Sequence, residues 1–99
     1  MWYLFVAKDK PDTLAQRLSA RAEHLARLEI LNQQGRLKLA GPLPAVDSEN
    51  PGEAGFVGSA LVLQFDSLNQ ARHWADADPY VVAGVYEAVD IYPFKPVLP

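Results

Sequence analysis

The side chains able to move a proton or make a covalent bond are few in this sequence. There is no cysteine, so thiolate nucleophiles, disulfide frameworks and zinc sites built on cysteine pairs are excluded. Two histidines remain, His24 and His73. An imidazole titrates near neutrality, and is therefore the side chain best suited to general acid–base work, provided a second group fixes its tautomer. His73 stands next to Trp74 in the middle of an amphipathic stretch and reads as a solvated or rim residue. Two histidines on separate elements, with no spaced carboxylates, make a poor metal set, and no metal is expected. Phosphate loops, dinucleotide fingerprints and hydrolase elbows all lack their glycine patterns.

His24 lies on a long helical repeat formed by Leu14, Leu18, Leu25, Leu28 and Leu31. At about 100° per residue it falls beside Arg17, Leu28 and Leu31, at the edge of that stripe. Arg21 falls nearer the centre, and a guanidinium among leucines must be paired or must line a polar cavity, because burying a lone charge is costly. Two readings of His24 stay open on these residues: a boundary histidine bonded to a nearby carbonyl or surface acid, or a working base with an orienting partner. Asp78 is the best partner available, yet an aspartate before Pro79 is also fully explained as a helix cap. Tyr80, Tyr86 and Tyr92 can donate hydrogen bonds, although strand aromatics more often belong to a core.

These residues need elements to position them. Trp2 to Lys8 is aromatic and β-branched and predicts a strand, stopped by Asp9-Lys10-Pro11-Asp12. Thr13-Leu14-Ala15-Gln16 has the capping-box pattern and opens a helix over 13–34, with Gly35 as its left-handed stop. Residues 36–40 predict a short strand that ends at Gly41-Pro42-Leu43-Pro44. Residues 45–55 are turn formers and acids, and form a loop or arm of the length often used for lids or partner contacts. A third strand over 56–65 follows, and Ser67-Leu68-Asn69-Gln70 caps a second helix through Ala77. Asp78-Pro79 starts a short turn, 85–94 is the last strand, and 95–99 is a tail.

The order β-α-β-β-α-β predicts an α+β, ferredoxin-like plait: a four-stranded antiparallel sheet with both main helices on one face. In the first strand Trp2, Leu4 and Val6 oppose Tyr3, Phe5 and Ala7, so both faces are apolar. In the last strand Val85, Val89 and Ile91 are expected on one face, with Tyr86, Ala88 and Tyr92 on the other. Helices on one side cannot cover both faces, which predicts a homodimer through the outer one.

A chain of 99 residues has the size of one domain, 1–99. Its net charge of −3 and interspersed signs offer no basic stripe, so neither nucleic acid nor membrane is an expected partner. The apolar N-terminal run lacks a basic leader and stops at Lys8-Asp9-Lys10, too short for a signal or a span, and a cytoplasmic location is expected.

The chain resembles the YciI-like (YCII-related) family over nearly its whole length. The resemblance is carried by Arg17-Leu18-Ser19 with Arg21, His24-Leu25-Ala26-Arg27-Leu28, Gly35-Arg36-Leu37 with Ala40-Gly41-Pro42, Ala45-Val46-Asp47, Ala54-Gly55-Phe56, and Trp74 through Tyr80. It implies a dimeric ferredoxin-like fold and a histidine–aspartate pair suspected of enzymatic work, here His24 and Asp78. Relatives with the broader dimeric plait include isomerases, dehydrochlorinases and monooxygenases that act on aromatic or lactone substrates without a bound cofactor. The expectation is therefore a cofactor-free, isomerase- or lyase-like enzyme using His24 and Asp78 on a small organic substrate. Arg21 would hold an anionic group, with Ser59 and Tyr80 as lesser contacts. The alternatives are a phosphoryl-carrying His24 nucleophile, and a non-catalytic module that senses a metabolite or docks a partner.

Overall fold

The computed structural model describes residues 1–99. Strand β1 (Trp2–Asp9) is central, with its side chains alternating between a buried and an open face. Tyr3, Phe5, Ala7 and Asp9 point to the buried side. Helix α1 (Leu14–Gln33) crosses to the edge strand β2 (Leu37–Pro44), and β3 (Phe56–Gln64) returns to pair with both β2 and β1. Helix α2 (Leu68–Asp76) and the one-turn helix α3 (Pro79–Val82) lead into β4 (Tyr86–Phe94). The sheet order is β2-β3-β1-β4 with every pair antiparallel, which is the ferredoxin-like plait. No helix is long and apolar enough to cross a membrane.

Both main helices pack on the same side of the sheet, since Leu28 and Leu31 of α1 and Ala71 and Ala75 of α2 share one core with Tyr3, Phe5, Leu61 and Leu63. A second, smaller cluster joins Ala7, Tyr80, Val85 and Tyr86 beneath the start of α1. On the open face lie Trp2, Leu4 and Val6 of β1, Leu39 of β2, and Tyr92 and Phe94 of β4. Leu39 and Tyr92 are about half exposed there.

Four local expectations are corrected. Strand β2 does not stop at Ala40 but runs through both prolines to Pro44. As an edge strand it pairs on one side only, so a missing amide facing solvent removes no ladder bond. The capping box at Thr13 does not form: its hydroxyl donates back to Lys10 O at 2.8 Å, while Ser67 does cap α2 by accepting from Gln70 N. The phase of α1 also differs. Its inward residues are Arg17, His24, Leu28 and Leu31, whereas Leu18 and Leu25 are exposed and Leu14 is half-buried. The leucines alone centre the stripe on Arg21, and the true centre is rotated by roughly 50° toward Arg17 at 100° per residue.

The fourth correction concerns β4. Asp9 pairs with Tyr86 and Lys8 with Ala88, so Glu87 is a bulge residue. One extra residue reverses the alternation at that point. Tyr86 therefore turns to the buried side with Val89 and Ile91, away from Ala88 and Tyr92.

Candidate active site

His24 projects from the third turn of α1 toward the N-terminus of α3. Asp78 caps that helix: its Oδ1 accepts from Tyr80 N at 2.9 Å, and Pro79 occupies the first helical position. The same carboxylate receives His24 Nδ1, at 2.9 Å from Oδ1 and 3.1 Å from Oδ2. Capping and pairing, which competed as explanations of Asp78, are thus made by one side chain. Both residues are buried, at 5% exposure for His24 and 2% for Asp78. A carboxylate can only accept, so Nδ1 carries the proton and the Nε2 lone pair of a neutral ring is free. Nε2 has no protein partner, and His24 lines a cavity of about 390 Å³. The Tyr80 ring stacks on the imidazole at 4.0 Å and 18° and limits its rotation.

The cavity lies between α1 and the inner side of β3, and Arg17, Arg21, Ser59, Tyr80 and Phe56 share its wall with His24. A wider, more open cleft of about 750 Å³ runs along Lys8–Leu14 and Glu53–Val57 but contains neither histidine. Leu18, Leu25 and Leu28 also line the smaller cavity, which explains why α1 carries leucines outside its packing seam.

The buried guanidinium is that of Arg17, not Arg21. Arg21 is exposed at the cavity's rim. Arg17 Nε and Nη2 bind the two oxygens of Asp9 at 2.8 and 3.0 Å, and Nη2 also reaches Gly58 O and Ser59 Oγ, each at 2.9 Å. Its charge stands 4.7 Å from the centre of the Tyr80 ring. Burial works against that charge, but the hydrogen bonds and field of Asp9 outweigh it and raise the Arg17 pKa above its usual value. Gly58 is obligatory here, since a Cβ would collide with Ala7 O.

Ser59 and Tyr80 also stand in the cavity wall, each about 2% exposed. Burial raises the Tyr80 pKa, against the fields of Arg17 and Arg21. Tyr86 donates to Ser59 Oγ at 2.8 Å, and its own pKa is pushed far above the ordinary phenol value by burial. Below the dyad Arg27 covers Trp74 at 4.5 Å and donates to Trp74 O, leaving Nη1 enclosed without a partner. Burial lowers the Arg27 pKa, while Asp78 opposes the shift. His73 is exposed on α2 and stands apart from the cavity.

Asp9 and Arg17 are the wall and support residues that composition and spacing passed over. Asp9 continues the inward alternation of Tyr3, Phe5 and Ala7, and Arg17 precedes His24 by seven residues on one helix face, so both left a signal. Tyr86 was expected as a donor or core aromatic, but its turn toward Ser59 left no signal, because a bulge brings it in.

A ferredoxin-like plait with a buried histidine–carboxylate pair beside a small cavity of mixed apolar and polar lining defines the class. The YCII-related domain model matches residues 1–95, and the chain belongs to that family. It is 59% identical over 97 residues to Protein YciI of Escherichia coli O6:H1 (strain CFT073), covering 98% of this chain and 99% of that one. Protein YciI of Shigella flexneri gives the same figures, and an uncharacterized protein of Haemophilus influenzae is 54% identical over 97 residues. Among solved structures, the 5-chloro-2-hydroxyhydroquinone dehydrochlorinase of Burkholderia phenoliruptrix AC1100, in complex with 2,5-dihydroxybenzoquinone, superposes with a TM-score of 0.83 at 27% identity, over 96% of this chain and 94% of that one.

Proposed function

We propose that the chain is a cofactor-independent enzyme of isomerase or lyase type, in which His24 exchanges a proton with a small organic substrate. The observation that carries this reading is the direct His24–Asp78 contact beside an open cavity. Asp78 holds Nδ1–H and stabilises the imidazolium that forms when Nε2 accepts a proton. An elimination then follows if a leaving group departs with its electron pair, and an isomerisation follows if the proton returns to another atom. The structural neighbour's name, a dehydrochlorinase, is of the first kind. Arg21 at the rim meets incoming anions, and Ser59 and Tyr80 contact the bound substrate. A phosphoryl-carrying His24 would use the same free Nε2. Pairing of two chains through the open sheet face, and a cytoplasmic location, belong to the same proposal.

The test is chloride release from chlorinated hydroxyquinols, beginning with the neighbour's named substrate, preceded by a thermal-shift screen of small acids, lactones and halogenated phenols. His24→Asn, which can still donate to Asp78, is expected to lower turnover about 10²- to 10⁴-fold, the usual worth of a positioned acid–base group. Its folding should be intact. Turnover within a few-fold of wild type in that variant would overturn the reading.

A further inference from the structure

The hydrogen bonds around Ser59 fix which way its proton points. Ser59 Oγ is approached by Arg17 Nη2 at 2.9 Å, and an arginine can only donate; with two hydrogens for Asp9 Oδ1, Gly58 O and Ser59 Oγ, Nη2 shares one of them between two acceptors. It is also approached by Tyr86 Oη at 2.8 Å. Ser59 is the only hydrogen-bond partner of that buried phenol, so a Tyr86 that accepted instead would leave its own proton unbonded in the core. The raised pKa keeps that proton in place across the neutral range. Ser59 Oγ therefore receives two donors, its lone pairs are used, and its own hydrogen has no acceptor in the protein. Ser59 lines the cavity. Arg17 adds a second donor there: Nε and Nη2 are committed to Asp9, Gly58 and Ser59, while Nη1 bonds to no protein atom and is not enclosed. The cavity wall, which also carries Glu49, thus offers hydrogens from Ser59 and Arg17 to a ligand, and His24 in the same wall offers a lone pair.

We propose that Ser59 Oγ–H and Arg17 Nη1 form an oxyanion cradle, and that the cavity takes small compounds bearing an ionised or ionising oxygen, an enolate or phenolate. The proposal rests on the His24 reading and deepens it. As His24 Nε2 removes a proton, the pair left on carbon forms a C=C bond and pushes the adjacent C=O pair onto oxygen, or the pair left by a hydroxyl stays on its oxygen, and the two donors stabilise the charge there. The polarity favours an accepting ligand atom, because donors from Arg17 and Tyr86 already approach both lone pairs of Ser59. Asp9 balances the charge of Arg17, so what the cradle brings to a substrate oxygen is directed N–H and O–H donors, not net charge. The bulge at Glu87 is what delivers Tyr86, so the cradle's orientation depends on it.

Binding measured by calorimetry tests this without any turnover. The probes are 2,5-dihydroxybenzoquinone, ionised near neutral pH, and hydroquinone, neutral there and kept anaerobic. Ser59→Ala is expected to weaken the ionised probe about 10- to 100-fold, the worth of a hydrogen bond to a charged group, and to leave hydroquinone within about twofold. Unchanged hydroquinone binding also shows that the variant is folded. Tyr86→Phe, which frees one lone pair of Ser59 and lets its proton turn away, should weaken the same probe by a smaller factor. Equal losses for both probes, no loss for the ionised one, or no binding of it by wild type would each overturn the proposal. If the Ser59 effect appears while His24→Asn keeps its turnover, only the dyad reading falls; the reverse pair of results removes only the cradle.

Discussion

Two buried carboxylates each hold a basic side chain within one small site, and they answer to different requirements. Asp9 and Arg17 form a bidentate pair closed off from water, in which removing one partner strands the other's charge. Asp9→Ala is therefore expected to destabilise the fold by about 3–5 kcal/mol in chemical denaturation. Arg21→Ala, at an exposed rim position, should stay within about 0.5 kcal/mol of wild type. Equal effects from the two variants would contradict the burial assigned to Arg17. Asp78 carries two duties that one substitution can separate. Asparagine caps helices about as well as aspartate, so Asp78→Asn should keep most of the cap's contribution of roughly 1 kcal/mol. It removes the charge that steadies an imidazolium, and turnover should drop by two orders of magnitude or more while the melting temperature moves little.

At the level of elements, the site depends on the phase of α1 and on one bulge in β4. The plait itself was legible, because strand alternation and helical period are local signals, although the end of β2 and the cap of α1 were misplaced. The pairing of His24 with Asp78 was not legible from spacing, since 54 residues separate them; the family resemblance brought them together. The phase of α1 misled for a physical reason. Leucines line the cavity as well as the core, so counting apolar positions moves the apparent seam toward Arg21. The bulge is invisible because it is a property of pairing between β1 and β4, not of either segment. Its consequence is measurable in alkali. Tyr86 holds its proton more tightly when folded than when unfolded, so the stability this represents is complete below the unfolded phenol pKa of about 10 and is lost as pH rises toward the folded value. Stability should fall above pH ~10 by up to about 1.4 kcal/mol per pH unit for each such tyrosine, and Tyr86→Phe should flatten the slope by one such contribution. An unchanged slope in urea titrations at several alkaline pH values would show that Tyr86 ionises freely, and would place it outside the core.

The whole molecule buries one face of its sheet and leaves the other uncovered. The helices take up Tyr3, Phe5, Leu61 and Leu63, but nothing in the chain lies over Leu39 and Tyr92. Around them Trp2, Leu4 and Val6 continue the apolar surface across β1, with Asp90 and Lys8 as interruptions toward one end. Monomers seldom keep apolar patches beyond a few hundred Å² in water, and a sheet face pairs with itself about a two-fold axis without needing a second surface. The proposed dimer would therefore have a mass twice the 10.9 kDa of the chain in light scattering. A double variant, Leu39→Glu with Tyr92→Glu, places two like charges on each face and should run at the single-chain mass. Neither side chain is buried, so the monomer should still melt cooperatively. The His24 cavity opens on the helix side of the sheet, bounded by α1 and β3, so the separated chain should bind the ionised quinone as the dimer does. A wild-type chain that stays monomeric at high concentration removes the dimer. A separated chain that folds but no longer binds would instead show that the far side of the sheet helps to hold the cavity in shape.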